Sequence, residues 1–385
     1  MTPKWLAYAA PAAALAAVLT AASCGNLYYR DWPPSYRHET IRVGEARPEA
    51  DARSVALAGA GRAAVYGAES AIANPAALGY LRGSALSGGG GYRYMGYDVQ
   101  PDQVGLRAQS FFSSFAGTYA AGAWAAAPEK FALGGAVWTP YDYTYEVGGD
   151  GEGGEITSRG ALRAVGPAAA FRALGLSWGA AADFLWGSQT FTSTEGGYES
   201  TELAGRGYDV RASAMKRFDL SPGWRLSAAV LGKKGAAMRF TDGSAYDVNF
   251  PPAAGAALTV KAYSINVHAD YTYTFYGAME AGDDDVAREI DAAARDVGWA
   301  SAGVEYVMDS GAVARAGASY RPWYIKDGMA LGVDGYYYAL GGGWPMWGRH
   351  GRFDAALGYG IRGALDLDGY QADIIDFQVS LNYFW

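Results

Sequence analysis

Residues 374–385 read IIDFQVSLNYFW, and their alternation decides the fold. Ile375, Phe377, Val379, Leu381, Tyr383 and Trp385 are apolar, while Asp376, Gln378, Ser380 and Asn382 take the intervening places. Successive side chains of a strand point to opposite faces, so this segment has one apolar and one wet face. Lipid outside and water inside a closed barrel is the setting that uses both faces.

The same dyad repeat recurs upstream. Ile265, Val267, Ala269, Tyr271, Tyr273 and Phe275 are set against Asn266, His268, Asp270, Thr272 and Thr274. Tyr208, Val210, Ala212 and Ala214 alternate with Asp209, Arg211 and Ser213. Ala302, Val304, Tyr306 and Met308 alternate with Ser301, Gly303 and Glu305, and Ala314, Ala316, Ala318 and Tyr320 with Arg315, Ser319 and Arg321. From Ser84 onward such segments number about fourteen, an even count that closes a single-chain antiparallel barrel. Tight connections at Arg172–Gly175, Asp219–Gly223, Tyr263 and Asp309–Gly311 alternate with longer ones at 148–158, 195–204, 241–254 and 277–298. Short periplasmic turns and long outer loops give that rhythm. Residues 343–349, rich in Gly and Trp, are too long for the periplasmic turn that their place demands.

Composition agrees. Half of the 385 residues are hydrophobic and 54 are glycine, yet mean hydropathy is −0.07. A helical membrane protein needs runs of about 20 apolar residues, and none follows the first two dozen positions. The net charge of −8, without a dense basic cluster, excludes a nucleic-acid partner.

At the N-terminus, Lys4 precedes an apolar run from Trp5 to Leu19 and the small residues Thr20 to Ser23, the pattern of a secretory signal peptide over 1–23. Cys24, the only cysteine, fits both an ordinary small-residue cleavage site and a loose lipidation site, which cut at the same bond. The remaining chain has no disulfide framework, thiolate metal site or thiol nucleophile. Residues 24–51 read as a polar periplasmic lead, and 52–83 as a small-residue, glycine-spaced segment suited to packing within a lumen, ahead of a barrel over 84–385.

Catalysis and metal binding find little support. The three histidines, His38, His268 and His350, lack metal-ligand spacing. No serine has the flanking glycines of a nucleophile elbow. His268 beside Asp270 imitates an acid–base pair, although a luminal hydrogen-bond network is the simpler account. Asp283 to Asp285 cap a short surface helix more naturally than they bind calcium, since an EF-hand's glycine and glutamate are missing in register. Gly88 to Gly91 lie within a strand and lack the lysine of a phosphate loop. No cofactor is implied.

The stretch ARSVALAGAGRAAVYGAESAIANPAALGYL (52–81) resembles the hatch of the long-chain fatty acid transporter family, the FadL-like outer-membrane barrels, with its Asn74, Pro75 and Ala76 motif. WTPYDYTY in the third strand and the ending VSLNYFW extend the resemblance over nearly the whole mature chain. It implies an all-β, about 14-stranded transmembrane barrel in an outer membrane of a diderm bacterium, plugged by a hatch that passes hydrophobic ligands inward. Pro140, next to Trp138 and Tyr141, cannot donate to a ladder. The resemblance makes it an inward kink with a lateral window toward membrane lipid; a place just beyond the membrane is the alternative.

Arg211, His268, Asp270 and Arg315 are candidate luminal polar contacts, pairing across water or meeting a fatty-acid carboxylate. Short loops after the fifth and seventh strands and the extra lead depart from the family pattern. A related branch, with spirochaetal paralogues and PorV-like secretion scaffolds, shares the architecture, so a binding or scaffold barrel with an envelope protein partner is the second reading. An open porin is the third.

Overall fold

The computed structural model describes residues 45–46, 51–64, 67–99, 108–142, 145–147, 156–193, 199–241, 245–282, 294–322, 335–363 and 370–385. The signal peptide, Cys24, most of the lead and the Asp283–Asp285 triplet lie outside them.

Among the described residues, fourteen antiparallel wall strands form one closed sheet. They are β1 (Ala85–Val99), β2 (Ala108–Ala127), β3 (Phe131–Asp142, continued by Tyr145–Val147), β4 (Ile156–Ala173), β5 (Leu176–Ser193) and β6 (Glu199–Ser221). Next come β7 (Trp224–Lys233 and Ala237–Thr241), β8 (Ala245–Asn249 and Ala253–Ala262) and β9 (Ile265–Thr274, with Glu280–Ala281 above it). The wall ends with β10 (Val297–Val307), β11 (Val313–Tyr320), β12 (Gly335–Met346), β13 (Gly351–Gly363) and β14 (Tyr370–Phe384). Antiparallel pairing of β14 with β1, from Tyr370 opposite Val99 to Phe384 opposite Ala85, closes the ring. No sheet edge is left at that seam for another chain to join.

The alternation read from the sequence sets the inside and outside of the wall. Asp376, Gln378, Ser380 and Asn382 are buried inward, whereas Ile375, Phe377, Leu381, Tyr383 and Trp385 are exposed outward. Trp178, Phe184, Tyr208, Val230, Tyr271, Leu340 and Leu357 extend this apolar exterior round the ring. In water so large an apolar surface would drive aggregation; against acyl chains it costs nothing. No described helix is long and apolar enough to span a membrane.

Several boundaries differ from the sequence reading. β6 begins at Glu199, inside what reads as a loop. The stretch 241–254 is a hairpin, with Ala237–Thr241 pairing Ala245–Asn249, rather than an open loop. Residues 343–349 are mostly strand: β12 runs to Met346, and a single turn at Trp347–Arg349 leads to β13. The apparent exception to the short-turn rule therefore disappears.

The described residues between Asp51 and Leu81 are mostly buried and pack inside the ring. Helix α1 (Ala52–Ala56) packs against β11 to β14; α2 (Ser70–Ala73) and a 3-10 helix over Pro75–Tyr80 pack against β2 to β6. Asp51 caps α1 by accepting from Ser54 N at 2.9 Å. The wall meets this segment with glycines. A Cβ at Gly317 would fall 2.7 Å from Ala58 N, and one at Gly179 would fall 2.6 Å from Ala76 Cα. Only a residue without a side chain admits backbone so close.

Candidate functional site

Buried polar pairs hold the luminal segment on three sides. Asp270, on β9, accepts from Gly61 N and Arg62 N at 3.0 Å each and from Arg62 Nε at 2.9 Å. Arg53 reaches Glu305 on β10 at 3.0 Å; Glu305 also binds Arg315 on β11 at 2.7 Å, and Arg315 binds Asp354 on β13 at 2.6 Å. On the third side Ala76 donates to Ser213 Oγ at 2.9 Å and accepts from Ser177 Oγ at 2.6 Å. Removing one partner from a buried pair strands the other charge, so these contacts resist piecemeal loss.

The Asn74–Pro75–Ala76 motif sits at the centre of this packing. Asn74 Nδ2 donates to Arg62 O at 2.7 Å, tying both ends of the 62–74 stretch together. Pro75 opens the 3-10 helix, where its missing N–H costs no bond. The motif is therefore a buried tie as well as a turn.

Above it lies a cavity of about 160 Å³. Ile72, Ala73 and Pro75 form its floor; Trp138, Pro140 and Tyr141 of β3 line one side, and Leu231, Tyr276 and Trp299 the others. Farther up, Phe240, Val248, Phe250 and Met279 form an apolar cluster with Tyr141, and the Tyr141 ring meets Phe250 edge-on at 4.9 Å. The cavity thus sits between the luminal segment below and an aromatic cluster above.

Three basic side chains line it, and each has a carboxylate partner. Arg62 pairs with Asp270 at 2.9 Å, Arg211 with Asp183 at 2.7 Å and Lys233 with Asp209 at 3.3 Å. Arg211 also donates to Ile72 O in the floor and lies over the Trp138 ring, 5.2 Å from its centroid. Lys233 donates to the Tyr141 hydroxyl. The lining pairs sum to no net charge.

Pro140 marks a bulge in β3. Trp138 faces Ala164 and Tyr141 faces Leu162, so Thr139 and Pro140 share the place opposite Arg163. The β2–β3 ladder runs from Ala127/Phe131 to Ala120/Val137 and stops there among the described residues. A Thr118–Thr139 hydroxyl contact at 3.4 Å lies just past it. Beyond the bulge, Tyr141 and Asp142 pair instead with a two-residue strand, Glu45–Ala46.

Of the candidates from the sequence, Arg211, Trp138 and Pro140 converge on the cavity. Asp270 and Arg315 belong to the anchoring pairs, and His268 is fully buried with Nδ1 against Thr259 Oγ at 3.0 Å. His268 and Asp270 thus engage different partners, and no acid–base pair is formed. Sequence reading missed Asp183, Lys233 and Arg62. The inward row Ser177, Gly179, Ala181, Asp183 of β5 would have revealed the first, and Ala229, Leu231, Lys233 of β7 the second. Arg62 gives no such signal, because its segment has no strand period. Among the described residues no group of three or more His, Cys, Asp or Glu could hold a metal.

Fold and site together define a closed transmembrane barrel with a chain segment folded in its lumen and a small, charge-balanced cavity above that segment. Solved structures share this fold. A FadL homologue from Pseudomonas aeruginosa aligns with TM-score 0.62 at 14% identity, over 88% of this chain and 99% of that one. The toluene transporter TodX of Pseudomonas putida gives 0.59 at 15%, over 87% and 97%. The toluene transporter TbuX of Ralstonia pickettii gives 0.60 at 15%, over 87% and 98%. No protein-family model and no curated protein matches the sequence.

Proposed function

We propose that this chain is an outer-membrane channel for small hydrophobic molecules, with residues 52–83 as its hatch and the β3 bulge as a lateral exit toward membrane lipid. The observation that carries the reading is the cavity between hatch floor and bulge. Its volume of about 160 Å³ is close to that of the dry apolar cavity, roughly 150 Å³, that accepts one benzene ring. The balanced lining favours an uncharged solute over a fatty acid, since a carboxylate would have to displace Asp183, Asp209 or Asp270 or remain desolvated beside an already neutral pair. The fold shared with toluene transporters supports the same class of ligand.

Trp138 and Trp299 line the cavity, so their fluorescence in the purified barrel reports occupancy. Toluene is expected to shift it saturably, benzoate and palmitate at least tenfold more weakly, and Trp138→Phe should remove much of the signal. Tighter binding of palmitate than of toluene would reverse the choice of ligand, and no response to any of the three would refute a binding cavity.

The scaffold reading draws on a different observation, the buried chain Arg53–Glu305–Arg315–Asp354, which suits a permanent plug. A stable envelope protein that co-purifies with the barrel, together with absent hydrocarbon uptake, would favour it.

A further inference from the structure

The short strand Glu45–Ala46 has a position that a periplasmic lead does not explain. Its partners are Asp142 and Tyr141, beyond the β3 bulge. The luminal segment meets β3 lower, from Gly134, which lies against Leu78 and Ala71, up to Trp138, which packs on the same cluster. Tyr141 lies seven positions beyond Gly134, a rise of about 23 Å along a strand at roughly 3.3 Å per residue. The segment then leaves for β1 at the wall's other end, where Ser84 N donates to Trp385 O. Glu45 and Ala46 therefore lie above the luminal segment, at the level of the cavity, to which Tyr141 belongs.

They also sit where the wall lacks a partner. Above Val137, among the described residues, β3 keeps its ladder with β4 on one side but forms none with β2 on the other. Backbone groups left unpaired against hydrocarbon are costly, so an open seam in a membrane barrel must be covered. Pro140, having no N–H, takes one donor out of this edge. Glu45–Ala46 supplies the pairing that β2 withholds. Its hold is slight, being two residues long against the fifteen-residue ladder from Tyr370 to Phe384 that closes the ring. A wall strand would be poorly built in this way. A strand that must detach would be well built.

We infer that Glu45–Ala46 is the closing strand of the β2–β3 seam, pairing with β3 at rest and leaving it when a hydrophobic solute passes sideways from the cavity. The inference rests on the lateral-exit reading above, and two crosslinks separate them. Glu45→Cys with Asp142→Cys locks the closing strand to β3, with each single variant as a control for pairing with Cys24. Thr118→Cys with Thr139→Cys locks β2 to β3 and leaves the closing strand untouched.

In outer-membrane vesicles carrying the full chain, the first pair should oxidise to an intramolecular disulfide. Toluene entry should then slow at least tenfold and recover on reduction. If that disulfide does not form, or forms without slowing entry while the Thr118/Thr139 disulfide still slows it, the closing-strand role is overturned and the lateral exit stands. If both disulfides form and neither slows entry, the lateral exit fails and the closing-strand role fails with it.

Discussion

Replacing Gly179 by alanine should loosen the luminal segment while sparing the barrel. The added Cβ would lie 2.6 Å from Ala76 Cα and closer still to the Ala76 nitrogen, so the obstruction is backbone that no side-chain rotation relieves. Ala76 must withdraw from β5. It then loses its bonds to Ser177 and Ser213, both buried. Each such bond contributes about 1–1.5 kcal/mol net, so local opening of the 74–80 stretch becomes easier by about 2–3 kcal/mol. That corresponds to a rise of roughly 30–150-fold in its hydrogen-exchange rate, at about 1.4 kcal/mol per tenfold. The ladders of β5 with β4 and β6 are unaffected, so the heat-induced mobility shift of the folded barrel on gels should stay within a few degrees of wild type. Gly88→Ala is the control, since its Cβ would meet nothing nearer than 3.5 Å. Exchange of Ala76 to Tyr80 within threefold of wild type in Gly179→Ala would refute the close-docking argument.

Arg211→Met strands the buried Asp183 and should cost about 3–5 kcal/mol of barrel stability in urea titrations. Adding Asp183→Leu should recover most of that loss, and no recovery would mean that the pair is not the source. Glu69, buried in α2's approach, has its carboxyl pushed up to about 7, chiefly by burial and then by Asp51, with Arg352 and Arg53 opposing. A raised folded value means stability fully present below the ordinary carboxylate range, near 4.5, and lost as pH rises through about 7. Exchange of residues 68–73 should therefore be slower at pH 5 than at pH 8 after correction for intrinsic rates, and Glu69→Gln should abolish the difference; unchanged pH dependence in that variant would exclude Glu69 as its origin.

The wall was legible in the sequence because the bilayer imposes one rule on every strand. Ile375 to Trp385 and Tyr208 to Ala214 carry the outward row that the structure displays. The rule lapses where the wall leaves the hydrocarbon. Glu199, Ser200, Thr201 and Glu202 are strand in β6 yet show no apolar period, and the Pro251–Pro252 pair that reads as a loop interrupts β8 only locally. The bend at Pro140 could be foreseen from the missing N–H of proline. The strand that replaces β2 there could not, because Glu45 and Asp142 share no pattern and meet only through tertiary folding. The same holds for Arg211, whose partner Ile72 lies 139 residues away along the chain.

The buried chain Arg53–Glu305–Arg315–Asp354 also bears on the order of assembly. Its first member belongs to the segment folded inside the ring, and its others come from strands near the end of the polypeptide, 252 residues beyond it in the case of Glu305. Contacts so distant carry the full loop-closure entropy before they return any energy. Were β14 to join β1 first, Glu305, Arg315 and Asp354 would line a sealed wall with Arg53 still to be threaded past them and stripped of water. An open, wet sheet lets Arg53 find its carboxylate before the ring shuts. These contacts are most cheaply made if the inner segment docks before the ring shuts, and protection of Arg53's stretch is expected no later than that of the β14–β1 ladder in pulse-labelled refolding.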